Sequence, residues 1–149
     1  MRVPTRTRYG VKAMYELAAA GGDAPLSARD ISERQHLSEH YLEQLLAPLR
    51  KAGLVQSIRG AQGGYLLGRA PERITIAQIV EVLDGAGGAG DCIATVGVKV
   101  ERCPDAEHCV DHWVWHRLAD AVNEVLGSIT LADLVREAER GQVAPMYYI

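Results

Sequence analysis

Thiol and imidazole side chains are concentrated in one stretch of the chain. It contains all three cysteines and three of the five histidines, namely Cys92, Cys103, Cys109, His108, His112 and His116. Thiolates with imidazoles alongside are the donors that transition metals and iron–sulfur clusters use. No two cysteines have the C-x2–4-C spacing of a common zinc finger. The stretch therefore predicts a metal or cluster site of a less common type.

Three thiolates are one short of a four-thiolate site, so the fourth ligand must be another residue. His112 is the leading candidate, because it lies three residues after Cys109 and shares a face with it if a helix begins there. Two alternatives remain, unrelated buried cysteines or a disulfide with one free thiol, which suits secreted chains. The start of the chain has no apolar signal segment, and no run approaches the about 18 apolar residues of a membrane span. We therefore predict a cytoplasmic protein without membrane contact.

Charge is distributed unevenly along the chain. Residues 1–69 carry ten Lys/Arg and six Asp/Glu, whereas residues 70–149 carry six Lys/Arg and thirteen Asp/Glu, within a net charge of −3. A basic N-terminal half on an acidic protein predicts that this half meets a polyanion.

The N-terminal half has the element order of a winged helix-turn-helix. Helices are predicted over 9–20, 28–35 and 39–52, and the second and third are separated by a tight turn. Ser27 and Ser38 are the expected N-caps, Gly53 is the expected C-terminal stop, and Pro48 is expected to kink the third helix. Two β-branched or apolar runs, 54–59 and 64–67, flank a Gly-rich turn and predict a hairpin. This order makes the third helix the candidate for the major groove.

Polar residues on the third helix and the hairpin are the candidate DNA contacts. Gln44 is suited to an adenine edge, and Glu43 is either a solvated residue or an acceptor for a cytosine amino group. Ser38 and Tyr41 are expected to hold phosphate, and Arg59 is suited to the narrow minor groove unless it is a solvated turn residue. The complete predicted set is Arg2, Ser38, His40, Tyr41, Glu43, Gln44 and Arg59.

The C-terminal half supplies further helices. A capping box formed by Thr75 and Gln78 predicts a fourth helix that ends at Asp84. The longest apolar periodicity, about 110–129, predicts a helix that packs against a second copy of itself. A last helix is expected from Thr130 to Arg140, with Gly141 ending it. The predicted fold is mainly α with a small β-hairpin: a winged helix-turn-helix domain over 1–70, a linking helix and cysteine loop over 71–108, a dimerisation helix and a short helix over 109–140, and a tail over 141–149.

Several segments resemble the IscR-type iron–sulfur cluster regulators, a family of bacterial winged-helix transcription factors. The resemblance covers about residues 1–138. Its segments are R-Y-G-V-K-A-M (Arg8–Met14), D-I-S-E-R-Q (Asp30–Gln35), Y-L-E-Q-L (Tyr41–Leu45), L-R-K-A-G-L-V (Leu49–Val55), R-G-A-Q-G-G-Y-L-L (Arg59–Leu67) and I-T-L-A-D-L-V (Ile129–Val135).

The resemblance implies a homodimer with crossing long helices that binds a double-stranded operator. It implies a cluster held in each subunit by Cys92, Cys103, Cys109 and a fourth residue, for which His112 matches the histidine of some members. It also implies that Ser38, Tyr41, Glu43, Gln44 and Arg59 touch DNA, with Glu43 sensing whether a site suits the cluster-loaded form.

One departure from the family pattern concerns the loop before Cys103. Ten residues separate it from Cys92, more than the family usually has, so the loop must bulge or reshape the pocket. We expect a 2Fe–2S cluster, with a 4Fe–4S cluster as the nearest competitor. The predicted function is a redox- or iron-sensing regulator of transcription; the alternative is a DNA-binding regulator with structural zinc or a thiol switch. An enzyme is not expected, because the regulator fold uses nearly the whole chain.

Overall fold

The computed structural model describes residues 3–84, 110 and 112–143, and of residues 112, 142 and 143 the backbone alone. Within these residues the chain is mainly helical with one antiparallel hairpin, as predicted. A 3-10 turn at Pro71–Arg73 precedes the fourth helix. No helix in the described ranges is long and apolar enough to cross a membrane. The elements in order are α1 (Thr5–Ala19), α2 (Ala28–Gln35), α3 (Glu39–Lys51), β1 (Val55–Ile58), β2 (Gly64–Leu67), α4 (Ile76–Asp84), α5 (His112–Ser128) and α6 (Leu131–Val143).

Helix α1 begins at Thr5, four residues before the predicted start. The carbonyl oxygen of Pro4 accepts from the amide of Arg8 at 3.1 Å, which closes the first turn. The residue of this turn that faces the core is polar: Thr7 is 2% exposed, and its hydroxyl donates to Oδ1 of Asp84 at 2.6 Å. An apolar periodicity cannot reveal a turn whose buried residue is a threonine.

The helix-turn-helix forms as its caps predict. Ser27 and Asp30 form a complete capping box at the start of α2, and the Ser27 hydroxyl lowers the pKa of the Asp30 carboxyl. His36 ends α2 in the left-handed conformation at φ 53°. Pro48 lies within α3, and the helix continues past it, because the Pro48 carbonyl still accepts from the Ala52 amide at 3.0 Å. Gly53, at φ 75°, follows the end of α3 as predicted.

The hairpin is held against the segment that leads into α2. β1 pairs with β2 in a register that runs from Val55 opposite Leu67 to Ile58 opposite Gly64. Leu26 and Tyr65 exchange both backbone hydrogen bonds, at 3.0 and 2.7 Å. A β-carbon at Gly64 would lie 2.2 Å from the Leu26 carbonyl oxygen, so this approach requires glycine. The wing is therefore fixed to the helix-turn-helix at its base.

The starts of α4 and α6 are bonded to each other. The predicted Thr75–Gln78 capping box is present. The carbonyl oxygen of Ile129 accepts from the Ile76 amide at 2.9 Å. This pairing takes Ile129 out of the helix that was predicted to include it, and α5 ends at Ser128. α5 also begins later than predicted, at His112 rather than Val110, which lies in a turn.

Helix α6 extends beyond its predicted end. Thr130 caps it through a reciprocal box with Asp133, and the Thr130 amide and hydroxyl lower the pKa of the Asp133 carboxyl to about 2. Gly141 was expected to end the helix, and it lies inside it instead. A glycine in a helix costs about 1 kcal/mol relative to alanine, which a capped and packed helix tolerates.

The hydrophobic core joins α1 to α3, α4 and α6. A β-carbon at Gly10 would lie 2.0 Å from Cδ1 of Leu83, so α1 and α4 approach closely at this glycine. α5 adds one fully buried residue, Ala119, to the buried set. The largest buried core side chains are Met14, Ile31, Leu42, Leu45, Leu46, Leu49, Ile74, Ile79 and Leu131.

Candidate nucleic-acid interface

Helix α3 separates a buried face from a polar one. Four leucines are at most 1% exposed and pack inward, namely Leu42, Leu45, Leu46 and Leu49. Ser38, His40, Glu43 and Gln44 are exposed, and Tyr41 is half-buried. All five predicted contact residues of this helix therefore lie outside the leucine face, where a helix can present them to a major groove.

Ser38 has its acceptor committed to the helix. Its Oγ accepts from the Tyr41 amide at 3.2 Å, which caps the first turn of α3. The hydroxyl proton of Ser38 remains free to donate to a phosphate oxygen. One residue thus starts the helix and keeps a donor at its exposed end.

Gln44 and His40 lie one turn apart and contact each other. Nε2 of Gln44 is 3.0 Å from Nε2 of His40, and the amide can donate when that ring nitrogen carries no proton. Gln44 then keeps its carbonyl oxygen and its second N–H, which are the groups that pair with an adenine edge. The contact orients the amide before DNA binds.

Glu43 is an exposed carboxylate beside these groups. Among the described side chains it forms neither an ion pair nor a hydrogen bond. A carboxylate in a groove is repelled by phosphate unless a base donates to it, and the cytosine amino group is the donor available there. Its geometry suits the selective role that the sequence predicts.

The wing is tied to α3 by a side-chain contact. Arg50, in the last turn of α3, donates to the Ser57 hydroxyl of β1 at 3.3 Å. Arg59 follows β1 at the turn of the hairpin, where it is exposed. The position of Arg59 relative to α3 is therefore constrained at two points, by the Arg50–Ser57 contact and by the Leu26–Tyr65 pairing.

Helix α1 supports α2 and α3 through residues that the sequence analysis did not single out. Glu16 accepts from Arg34 at 3.2 Å and from Gln35 at 2.5 Å, which fixes the end of α2. The rings of Tyr9 and Tyr41 meet edge to face with centroids 6.1 Å apart. The helical spacing of Tyr9, Lys12 and Glu16 was a usable signal, because it places them on one stripe of α1.

The remaining predicted site residues fall largely outside the described part of the chain. Arg2, Cys92, Cys103 and Cys109 lie there, and for His112 the structure gives its place as the first residue of α5. Among the described residues, no three His, Cys, Asp or Glu side chains are grouped to hold a metal ion. The metal ligands therefore stay predictions.

The family model described as Rrf2, an iron-dependent transcriptional regulator, matches residues 3–137. The chain belongs to the Rrf2 family. Over its full length it is 46% identical to the HTH-type transcriptional regulator CymR of Bacillus subtilis, whose whole length is also covered. The solved structure of T. potens IscR matches with a TM-score of 0.78 at 44% identity, covering 99% of this chain and 95% of that one. The structure of CymR, described as the global cysteine regulator of B. subtilis, matches with a TM-score of 0.71, covering 92% and 98%.

These matches confirm the winged-helix fold and the general function. The chain is a DNA-binding transcriptional regulator of the kind that includes IscR and CymR, and DNA is its partner. Its relatives are named as regulators rather than enzymes, in agreement with the sequence analysis. The family has members of both names, so it does not choose between their signals.

Replacing Gln44 by alanine tests the base-reading role of α3. We expect a loss of discrimination of about 1–3 kcal/mol at one base pair of the operator, because a bidentate adenine contact is removed. The salt dependence of binding should stay unchanged, since no phosphate contact is lost. Binding to a set of singly substituted operators, with Gln56→Ala on β1 as the matched control, measures both. An equal loss on every operator would contradict the assignment.

Proposed function

We propose that this regulator is a cytoplasmic homodimer that senses an iron–sulfur cluster held by Cys92, Cys103, Cys109 and His112. The observation that carries the proposal is the place of this donor segment in the fold. It begins after Asp84, which is bonded to α1, and it ends where His112 starts α5. A change within the segment thus acts on both of its anchored ends.

The donor set fits an iron–sulfur cluster better than it fits other metals of the cytoplasm. Three thiolates with one imidazole match 2Fe–2S ligation in which histidine replaces one cysteine, and an imidazole raises the cluster's potential. His112, at the N-terminus of α5, would add the favourable helix dipole to the binding of a negative group. When bound, such a cluster supplies a centre that is lost or oxidised as iron or oxidant levels change. A 4Fe–4S cluster is the nearest competitor.

The path from the donor segment to DNA begins at Asp84. Its Oδ1 accepts from Thr7, while its Oδ2 is enclosed and has no hydrogen-bond partner. A buried acceptor left unsatisfied costs about 1–3 kcal/mol. An arrangement of the following segment that brought a donor to Oδ2 would therefore be favoured by a similar amount. The carboxylate is suited to distinguish two arrangements of that segment.

Helix α1 is the next element on this path. It meets α4 through Thr7 and Gly10, and it meets α3 through the contact between Tyr9 and Tyr41. A displacement at the end of α4 thus reaches α3 through one helix. Cluster state can change operator affinity only by the difference in its own affinity for the two arrangements.

Helix α5 carries two apolar stripes, and one of them supports the homodimer. The inward stripe includes Ala119, which is buried, and Leu126, which packs against the core. The outward stripe is exposed and repeats at helical spacing; it consists of Val110, Val114, Leu118, Ala121 and Val125. A second copy of α5 would cover this stripe in a symmetric dimer that reads two half-sites.

A thiol-based switch or a structural zinc site is the second candidate for the sensor. The 46% identity to CymR favours it, because a solved relative of that name is described as a cysteine regulator. Both candidates share the DNA-binding half. They differ in what the three cysteines hold.

Absorbance and Mössbauer spectra of protein purified without oxygen separate these candidates. We expect the visible charge-transfer bands of a 2Fe–2S cluster, lost in Cys103→Ala and shifted in His112→Ala, because one ligand is removed in each. His116→Ala, one turn further along α5, is the matched control and should leave the spectrum unchanged. Colourless protein with bound zinc, or with a reversible disulfide by mass spectrometry, would support the second candidate.

Thr7→Val tests the path through Asp84. It removes the donor to the carboxylate while it keeps the side-chain shape, and we expect the ratio of operator Kd between apo and loaded protein to fall toward one. Thr75→Ala, which removes the cap at the other end of α4 at a cost of about 1 kcal/mol, is the control for general destabilisation. Thermal unfolding of both variants shows whether they are comparably weakened. An unchanged ratio in Thr7→Val would rule out this path.

The dimer is tested by Leu118→Glu at the centre of the outward stripe. We expect the sedimenting species to fall from twice the chain's mass to once, because two carboxylates would face each other in an apolar contact. Asp120→Lys, on a face of α5 turned away from both stripes, should leave the dimer intact. A monomeric wild-type protein would exclude this role for α5.

A further inference from the structure

Lys12 of α1 is a cation left without a carboxylate partner beside the helix-turn-helix. Glu16 is one turn along the same helix, where a lysine and a glutamate ordinarily attract each other. Both oxygens of Glu16 are instead engaged by α2, Oε1 by Gln35 and Oε2 by Arg34. Lys12 forms no ion pair within the described residues. Its charge therefore remains available to an external anion.

The position of this charge is set by two aromatic rings. Nζ of Lys12 lies 5.6 Å from the centroid of the Tyr9 ring, in a cation–π contact. Tyr9 meets Tyr41 of α3 edge to face at 6.1 Å. The ammonium group thus lies within about 12 Å of the Tyr41 ring, since both distances are measured from the Tyr9 centroid. Lys12 is exposed, and Tyr9 is half-buried between it and α3.

We propose that Lys12 binds a phosphate of the DNA backbone near the one contacted by Tyr41, and that Tyr9 positions both side chains. The proposal rests on α3 as the DNA-reading helix. Nucleic acid is the occupant that the charges favour, because the N-terminal half carries the excess of cations and α3 presents its polar face nearby. α1 then contacts DNA directly, in addition to supporting the helix-turn-helix.

Such a contact fixes position without reading sequence. Phosphate contacts set the register of a protein on the duplex, whereas base edges supply specificity. Lys12 would hold α1 against the backbone while Gln44 and Glu43 address the bases. Its binding energy should therefore be the same on operator and on unrelated DNA.

The salt dependence of binding tests this contact. We expect Lys12→Gln to weaken binding to operator and to random duplex by the same factor. We also expect it to lower the slope of log K against log salt by about 0.9, the value for one phosphate contact. Arg73→Gln removes an exposed cation from the 3-10 turn and is the control for net charge. An unchanged slope in Lys12→Gln, or an equal change in Arg73→Gln, would overturn the proposal.

Substitutions of Tyr9 test its positioning role. Tyr9→Phe keeps the ring face and should keep the wild-type slope, whereas Tyr9→Leu should lower the slope as Lys12→Gln does. The double variant Lys12→Gln/Tyr9→Leu should lower it no further, because both changes remove one contact. A further fall in the double variant, or a wild-type slope in Tyr9→Leu, would show that Tyr9 does not position Lys12.

The α3 interface and the Lys12 contact can fail separately. If Gln44→Ala alters base preference while Lys12→Gln leaves the slope unchanged, the α3 interface stands and the Lys12 contact is wrong. If Gln44→Ala lacks a base-specific effect while Lys12→Gln lowers the slope, α1 meets DNA and the reading helix must be reassigned.

Discussion

The close approach of α1 to α4 is the contact on which the rest of the structure depends. It requires a glycine at position 10, because any side chain there would occupy the space of Leu83. Beside it, Thr7 and Asp84 form a hydrogen bond that is enclosed by the same two helices. With α4 fixed in this way, the backbone pairing between Ile76 and Ile129 places α6, and α6 completes the core.

The same helix distributes charge over the DNA-binding half. Glu16 neutralises Arg34 of α2 and orders Gln35, so the carboxylate is used for holding the helix-turn-helix in place. This use separates it from Lys12, which would otherwise be its partner. One acidic residue on α1 therefore has two effects, a structural one on α2 and an electrostatic one on the surface beside α3. An exposed pair between Lys12 and Glu16 would contribute at most about 0.5 kcal/mol, so little stability is lost.

Local signals predicted most of the fold. Ser27, Ser38 and Thr75 begin helices because their side chains satisfy amides that the first turn leaves free, and this depends on a few neighbouring residues. The start of α1 was missed because the residue facing the core is Thr7, whose partner is 77 positions away. Gly141 was misjudged because a glycine ends a helix only where the chain turns. The polar face of α3 followed from its leucine spacing, whereas the support from Tyr9 and Glu16 depends on how three helices pack.

The fold and the sensor chemistry are specified by different parts of this chain. The contacts that build the DNA-binding half come from α1 to α4 and from the pairing with α6, and none of them uses a cysteine. The three cysteines lie together in the segment between α4 and α5, which the core does not need in order to form. A segment of this kind can change its donors while the reading helix is kept. This separation gives a physical reason why relatives named IscR and CymR share one architecture, and it places the distinction between their signals in residues 85–111.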